Sequence, residues 1–143
     1  MHPKLHGSFV LVLHSHLPYV LGQNRLEEEM LLDAAIETYI PLLDVLNRLV
    51  KEGISPKVTI GISPVLAEQL AHPEFKAKLR EYCWLKAEFA RRDGVEFRPY
   101  NLHQHWLAQR WEAFYTHTER VFKNTYGRDL IGGFKQLQDE GHI

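Results

Sequence analysis

The chain has 143 residues, of which 45% are hydrophobic and 24% charged, with a formal net charge of −1. That is one ordinary domain, able to bury about two-thirds of its unfolded surface, with no bulk electrostatic pull toward nucleic acid or an anionic membrane. Cys83 is the only cysteine, so an internal disulfide is excluded, which fits a reducing compartment.

The N-terminus runs from Met1 through Gly7 into a short apolar stretch, Phe9 to Leu13. It lacks a cleavage-site pattern and is too short to span a bilayer, so a cytoplasmic, non-membrane chain is expected. Residues 8–13, continuous and β-branched between Gly7 and a His/Pro segment, read as a strand buried on both faces, the habit of parallel sheets. A helix follows over residues 26–51. Leu32, Ile36, Tyr39, Ile40, Leu43, Leu46 and Val50 recur at three- and four-residue steps, and Gly53 stops it. Pro41 lies inside and should kink or divide it.

Residues 57–62 form a second β-branched run, completing a βαβ unit that is parallel and right-handed almost by rule. Ser63-Pro64 opens a short helix to Ala71. His72-Pro73 launches another to Arg92, with Phe75, Leu79, Tyr82, Cys83 and Phe89 inward and Arg92-Asp93-Gly94 as its end. Residues 95–103 are ambiguous. A helix over residues 104–126 carries an aromatic stripe (Trp106, Trp111, Phe114, Tyr115, Phe122, Tyr126), read as core; a last helix over 129–140 is capped by Gly141. The result is an α/β chain of two parallel strands and four or five helices, without repeat or linker. A pair of strands leaves two open sheet edges and too little sheet for these helices, so the chain reads as part of a larger fold.

His14 and His16 stand at the C-terminal end of the first strand, the end at which barrels and open α/β sheets bind ligands. Their i, i+2 spacing turns both imidazoles to one side. Imidazole donates and accepts hydrogen bonds, ligates metals and shuttles protons. By themselves these histidines fit equally a loop that anchors backbone. A metal site needs a third or fourth ligand, and His103 and His105 lie far along the chain. Tyr19 suits stacking on a sugar face or packing of the loop. Ser63 faces the ligand side, although helix capping already explains it.

Glycosidic-bond chemistry needs two carboxyl groups flanking the bond. Here Glu27, Glu28, Glu29, Asp33, Glu37, Asp44, Glu68, Glu81, Glu88, Asp139 and Glu140 all fall on expected helices, none at a strand's C-terminal end. Nor is there a Ser/His/Asp pattern, a phosphate loop or a Gly-x-Gly-x-x-Gly turn. No catalytic residue, cofactor or metal is assigned to the chain.

Four segments in order carry a resemblance. They are Gly7 to Val20 with its Leu-His-Ser-His-Leu-Pro-Tyr core, Glu37 to Leu43, Gly61 to Leu66, and Tyr126 to Phe134 with Leu137 to Gly141. Together they resemble glycoside hydrolase family 57, and within it the 1,4-α-glucan branching enzymes, along the whole chain. The resemblance implies that residues 1–143 are an N-terminal part of a (β/α)7 catalytic barrel. It implies retaining chemistry, by a glutamate nucleophile and an aspartate acid/base from motifs beyond this chain. His14, His16, Tyr19 and Ser63 would then bind an α-glucan without metal, and the remainder of the barrel is the expected partner. 4-α-Glucanotransfer, α-glucan hydrolysis or a non-catalytic carbohydrate-binding remnant are the alternatives. A metal-dependent hydrolase is a weaker one.

Overall fold

In a computed structural model, residues 7–143 are described. Two strands, β1 (Val12–Ser15) and β2 (Thr59–Ile62), pair in parallel with Val12 opposite Thr59 and Ser15 opposite Ile62. Between them run α1 (Arg25–Ala34), a π-helical turn (Ala35–Tyr39) and α2 (Ile40–Lys51). After β2 come α3 (Pro64–Ala71), α4 (Pro73–Phe97), α5 (Leu102–Asn124) and α6 (Leu130–Asp139). Counting α1, the π turn and α2 as one rod, the sheet carries five helical segments, as the pattern of apolar residues implies.

The first strand starts later than expected. The ladder begins where Thr59 N–H donates to Leu11 O (3.0 Å). In this register Val10 would face Lys57, but Lys57 takes a left-handed φ of 53° and sends its N–H to His142 O (2.8 Å). Phe9 and Val10 therefore find no partner in β2 and stand exposed, Phe9 at 88%. The ladder instead runs on past Leu13, because Ser63 N–H donates to Ser15 O (3.0 Å). His14 thus lies inside the strand.

Pro41 does not break its helix. It offers no N–H to the preceding turn, and just before it the backbone widens, Ile40 N–H reaching back to Ala35 O. The helix ends are capped by side chains. Asn24 accepts from Glu27 N–H, Ser63 from Leu66 N–H, His72 from Glu74 N–H, Asn101 from Gln104 N–H and Asp129 from Gly132 N–H. Gly53 and Gly141 take positive φ past the ends of α2 and α6, as expected.

The expected stop at Gly94 is overturned: α4 runs through it to Phe97. Gly94 is buried against α5, where an added β-carbon would lie 3.6 Å from Ala108 Cβ, and its carbonyl lies 2.6 Å from His105 Nδ1. The glycine marks a close approach of two helices. The expected inward place of Phe89 is overturned as well: Phe89 is exposed and Ala90 takes the inward position on α4. Residues 95–103 are the last turn of α4, a tight connection and the first turn of α5.

One core joins all the elements. Leu31, Leu32, Ile36 and Leu43 from the long rod meet Leu66 and Leu70 of α3, Phe75, Leu79 and Cys83 of α4, Phe122 of α5, and Leu130, Phe134 and Leu137 of α6. Leu13, Ile60 and Ile62 cover it from the sheet. Of the expected aromatic stripe, Phe122 is core, Phe114 and Tyr115 are partly buried, as is Tyr126 just past the end of α5, and Trp106 and Trp111 are half exposed. The core reading holds only for the half of α5 that lies over the other helices. Among the described residues no helix is long and apolar enough to cross a membrane.

Candidate functional site

Side chains alternate across a strand, and β1 uses this to separate core from surface. Leu13, Ser15 and Leu17 are half-buried, whereas Val12, His14 and His16 are exposed. Both histidines therefore leave the sheet on one side, His16 one residue past the strand's end. His14 lies over Gly61, its partner in β2. A β-carbon at Gly61 would come within 3.0 Å of His14 Nδ1, closer than most real contacts, so the imidazole occupies space that only glycine leaves free. On the core side, Ser15 meets the buried phenol of Tyr39, from the π turn; burial raises that phenol's pKa and the Ser15 hydroxyl opposes the rise.

The segment after His16 is held by one side chain. Gln69, on α3, is fully buried. Its Oε1 accepts from Val20 N–H (2.8 Å) and Leu21 N–H (3.1 Å), while Nε2 donates to Pro18 O (2.9 Å) and Val65 O (3.3 Å). Both amide hydrogens and both lone pairs are used. Val20 and Leu21 are thereby turned into the core, and Tyr19, between two anchored residues, is left outward at 49% exposure. The next residue of the loop is tied too, Gly22 N–H donating to Glu28 Oε1 (2.5 Å). That carboxylate also pairs with Lys78 of α4, and the pairing holds it below its usual pKa.

Ser63 is half-buried where β2 passes into α3, and its hydroxyl caps α3 at 3.4 Å from Leu66 N. Its backbone N–H bonds Ser15 O, so His16, one residue on, and Ser63 follow the same rung of the sheet. The structure thus gathers His14, His16 and Ser63 at the strands' C-terminal ends, with Tyr19 on the loop that leaves them. His103 and His105 stand elsewhere: His103 stacks on Trp106 (6.2 Å between centroids), and His105 binds Gly94 O. Among the described residues no group of three or more His, Cys, Asp or Glu is placed to hold a metal ion. Cys83 is buried, its thiol pushed up to about 12 by desolvation.

Sequence reasoning missed Gln69, Gly61, Tyr39 and Glu28. Nothing in a helical Glu-Gln pair announces a clamp on a loop 49 residues earlier. The signal in reach was Gly61, since a glycine inside a β-branched strand often marks a close approach.

No family model matches the chain. A 1,4-alpha-glucan branching enzyme of Thermococcus kodakarensis is 31% identical over 139 residues, 96% of this chain and 20% of that one. The GH57-type branching enzyme of Pyrococcus horikoshii superposes with a TM-score of 0.86 at 31% identity, over 94% of this chain and 25% of its own. The chain is a homologue of family 57 branching enzymes. It spans about a fifth to a quarter of their length. The alpha-amylase AmyC of Thermotoga maritima shares the fold too, with a TM-score of 0.82 at 28% identity over 93% of this chain and 25% of its own. A family 57 homologue with two parallel strands thus stands where the sequence expected one. Among the described residues these two strands form a two-stranded sheet, and no barrel is shown by them.

Proposed function

We propose that the chain is the N-terminal part of the catalytic domain of an α-glucan-active family 57 enzyme of the branching type. In this reading the ends of β1 and β2 form a wall of the sugar site. His14 and His16 hydrogen-bond glucose hydroxyls, Tyr19 stacks on a pyranose face, and the Ser63 hydroxyl, which caps α3 as an acceptor, still has its proton to donate. The carboxyl pair of the retaining reaction comes from outside these residues. The observation that carries the reading is the match to branching enzymes over nearly the whole chain, His14 and His16 sharing the exposed face at the strand ends.

The remainder of the barrel is the partner. A groove of about 550 Å³ runs beside β2, lined by Ile60, Ile62, Ile131, Phe134 and Ile143, and with Lys57 N–H already bonded to His142 O it suits a further parallel strand. The likeness to an alpha-amylase supports a second reading, hydrolysis of α-glucan at the same wall.

Titration with maltoheptaose, followed by NMR, tests the wall. The ring signals of His14 and His16 are expected to shift, and a chain that leaves them unmoved is not a glucan binder. Amylose incubated with the chain is expected to keep its iodine colour. Turnover above a blank would place the catalytic pair within these 143 residues. In a protein that joins these residues to a complete barrel, new α-1,6 linkages mark branching and new reducing ends alone mark hydrolysis.

A further inference from the structure

The segment from Pro18 to Leu21 has no regular secondary structure and lies between strand and helix. Its backbone groups cannot satisfy one another, so a buried position for them requires a partner. Among the described residues the side chain that supplies it is Gln69, whose fully buried carboxamide makes three hydrogen bonds to the segment and a fourth to Val65 O of its own helix. The three loop contacts bracket Tyr19: Pro18 O on one side, Val20 and Leu21 N–H on the other. With the peptide planes on both sides fixed, the Cα–Cβ bond of Tyr19 is fixed as well, and the side chain stands outside the core.

We infer that Gln69 is the positioning residue of this site, holding Tyr19 and the loop after His16 in the conformation that receives a sugar. The inference rests on the α-glucan reading of His14, His16 and Tyr19. Neither ionised glutamate nor methionine replaces glutamine here. Methionine matches its length but offers no hydrogen bond. An ionised glutamate accepts from Val20 and Leu21 but donates nothing to Pro18 O or Val65 O. A protonated glutamate accepts at one oxygen and donates its single proton from the other to one of those two carbonyls, and burial favours that neutral form.

The test compares wild type, Gln69→Met and Gln69→Glu in the full chain, using maltoheptaose affinity and the exchange rates of the Val20 and Leu21 amides. Gln69→Met is expected to speed both amides and weaken maltoheptaose on the order of ten-fold, the scale of a lost buried hydrogen bond. The affinity of Gln69→Glu relative to wild type is expected to rise as pH falls from about 8 to about 5, the range in which a buried glutamate titrates. Taking the ratio at each pH removes contributions common to both proteins. These come from His14, His16, His72 at the end of α3, and the Glu28–Lys78 pair beside Gly22. A merely structural role predicts no such recovery of affinity.

Wild-type binding that both variants retain within about two-fold at every pH overturns the inference and leaves the glucan reading standing. Faster amides with unchanged affinity also overturn it, since the loop would then be free without cost to binding. A wild-type chain with no affinity for maltoheptaose overturns the glucan reading and the inference together.

Discussion

His14 and Gly61 share one space across the β1–β2 ladder, the imidazole Nδ1 lying 3.0 Å from where a β-carbon on Gly61 would be. Gly61→Ala forces one of them to give, and the exposed imidazole moves more easily than paired backbone. The variant is expected to fold with a melting temperature near wild type and to bind maltoheptaose several-fold more weakly, about 1 kcal/mol for one misaligned hydrogen bond. Calorimetric titration beside a thermal melt separates the two effects. Unchanged affinity would mean that His14 takes no part in binding.

Both histidines are exposed and neither is held by a hydrogen bond to the protein among the described contacts. His14→Ala and His16→Ala are therefore expected to change stability by no more than about 0.5 kcal/mol, as at ordinary surface positions. Each should weaken maltoheptaose binding by roughly ten-fold, or about 1.4 kcal/mol. A loss of stability larger than the loss of affinity would assign them to the scaffold.

Gly94 lies in the last turn of α4, and glycine inside a helix costs up to about 1 kcal/mol relative to alanine. Its added β-carbon would meet Ala108 Cβ at 3.6 Å and His105 Nδ1 at 3.8 Å, both ordinary contacts. Gly94→Ala is thus expected to raise the melting temperature by about 3 °C, while Gly94→Leu, which overfills the approach of α4 to α5, lowers it. Differential scanning fluorimetry on the pair reads the sign of each.

Gly133 gives the opposite outcome. A β-carbon there would fall 2.6 Å from Leu43 Cδ2, a methyl of a fully buried side chain in α2, and 3.4 Å from Tyr126 Cδ1. Gly133→Ala is expected to destabilise by about 1–3 kcal/mol through overpacking, despite alanine's better helix propensity. Urea denaturation of Gly133→Ala and Gly94→Ala side by side distinguishes a packing glycine from a merely permissive one.

Glu28 is held below the usual carboxylate range, first by Lys78, then by Gly22 N–H and against some burial. A depressed folded-state pKa contributes stability above the unfolded value of about 4.5, and that stability is lost as pH falls through the folded value. Lys78, raised chiefly by Glu28 and Glu74, contributes below its unfolded value near 10.5 and loses that contribution as pH rises past it. Wild type should therefore lose stability in acid more steeply than Glu28→Gln, with the Gly22 amide exchanging faster. Parallel acid titrations of the two, followed by circular dichroism, check this; identical curves would show that the pair contributes nothing.

Periodicity carried most of the architecture. The spacing of Leu32, Ile36, Leu43 and Leu46 announced the long rod, and the β-branched runs announced a parallel pair, because both signals are local. Boundaries failed where a tertiary contact decided them. The start of β1 depends on the turn at Lys57, and the length of α4 on the approach of Gly94 to Ala108. The candidate site divides the same way. His14 and His16 were legible from a strand end, whereas Gln69 was not, since its role exists only once α3 lies against residues 18–21.

The π-helical turn at Ala35–Tyr39 adds, in effect, one residue to a rod that would otherwise be regular. One residue in an α-helix is about 100° of rotation. Compared with an unbroken α-helix of the same sequence, everything beyond the turn is therefore set back by that angle, and α1 packs on α4 while α2 packs on α6. Deleting a single residue from this turn would leave a regular helix with both halves on their present faces, whereas straightening it with every residue kept would swing the buried side of the second half by that angle. A one-codon loss here would then be tolerated better than the same loss elsewhere in the rod, where it would rotate every later contact by about 100°.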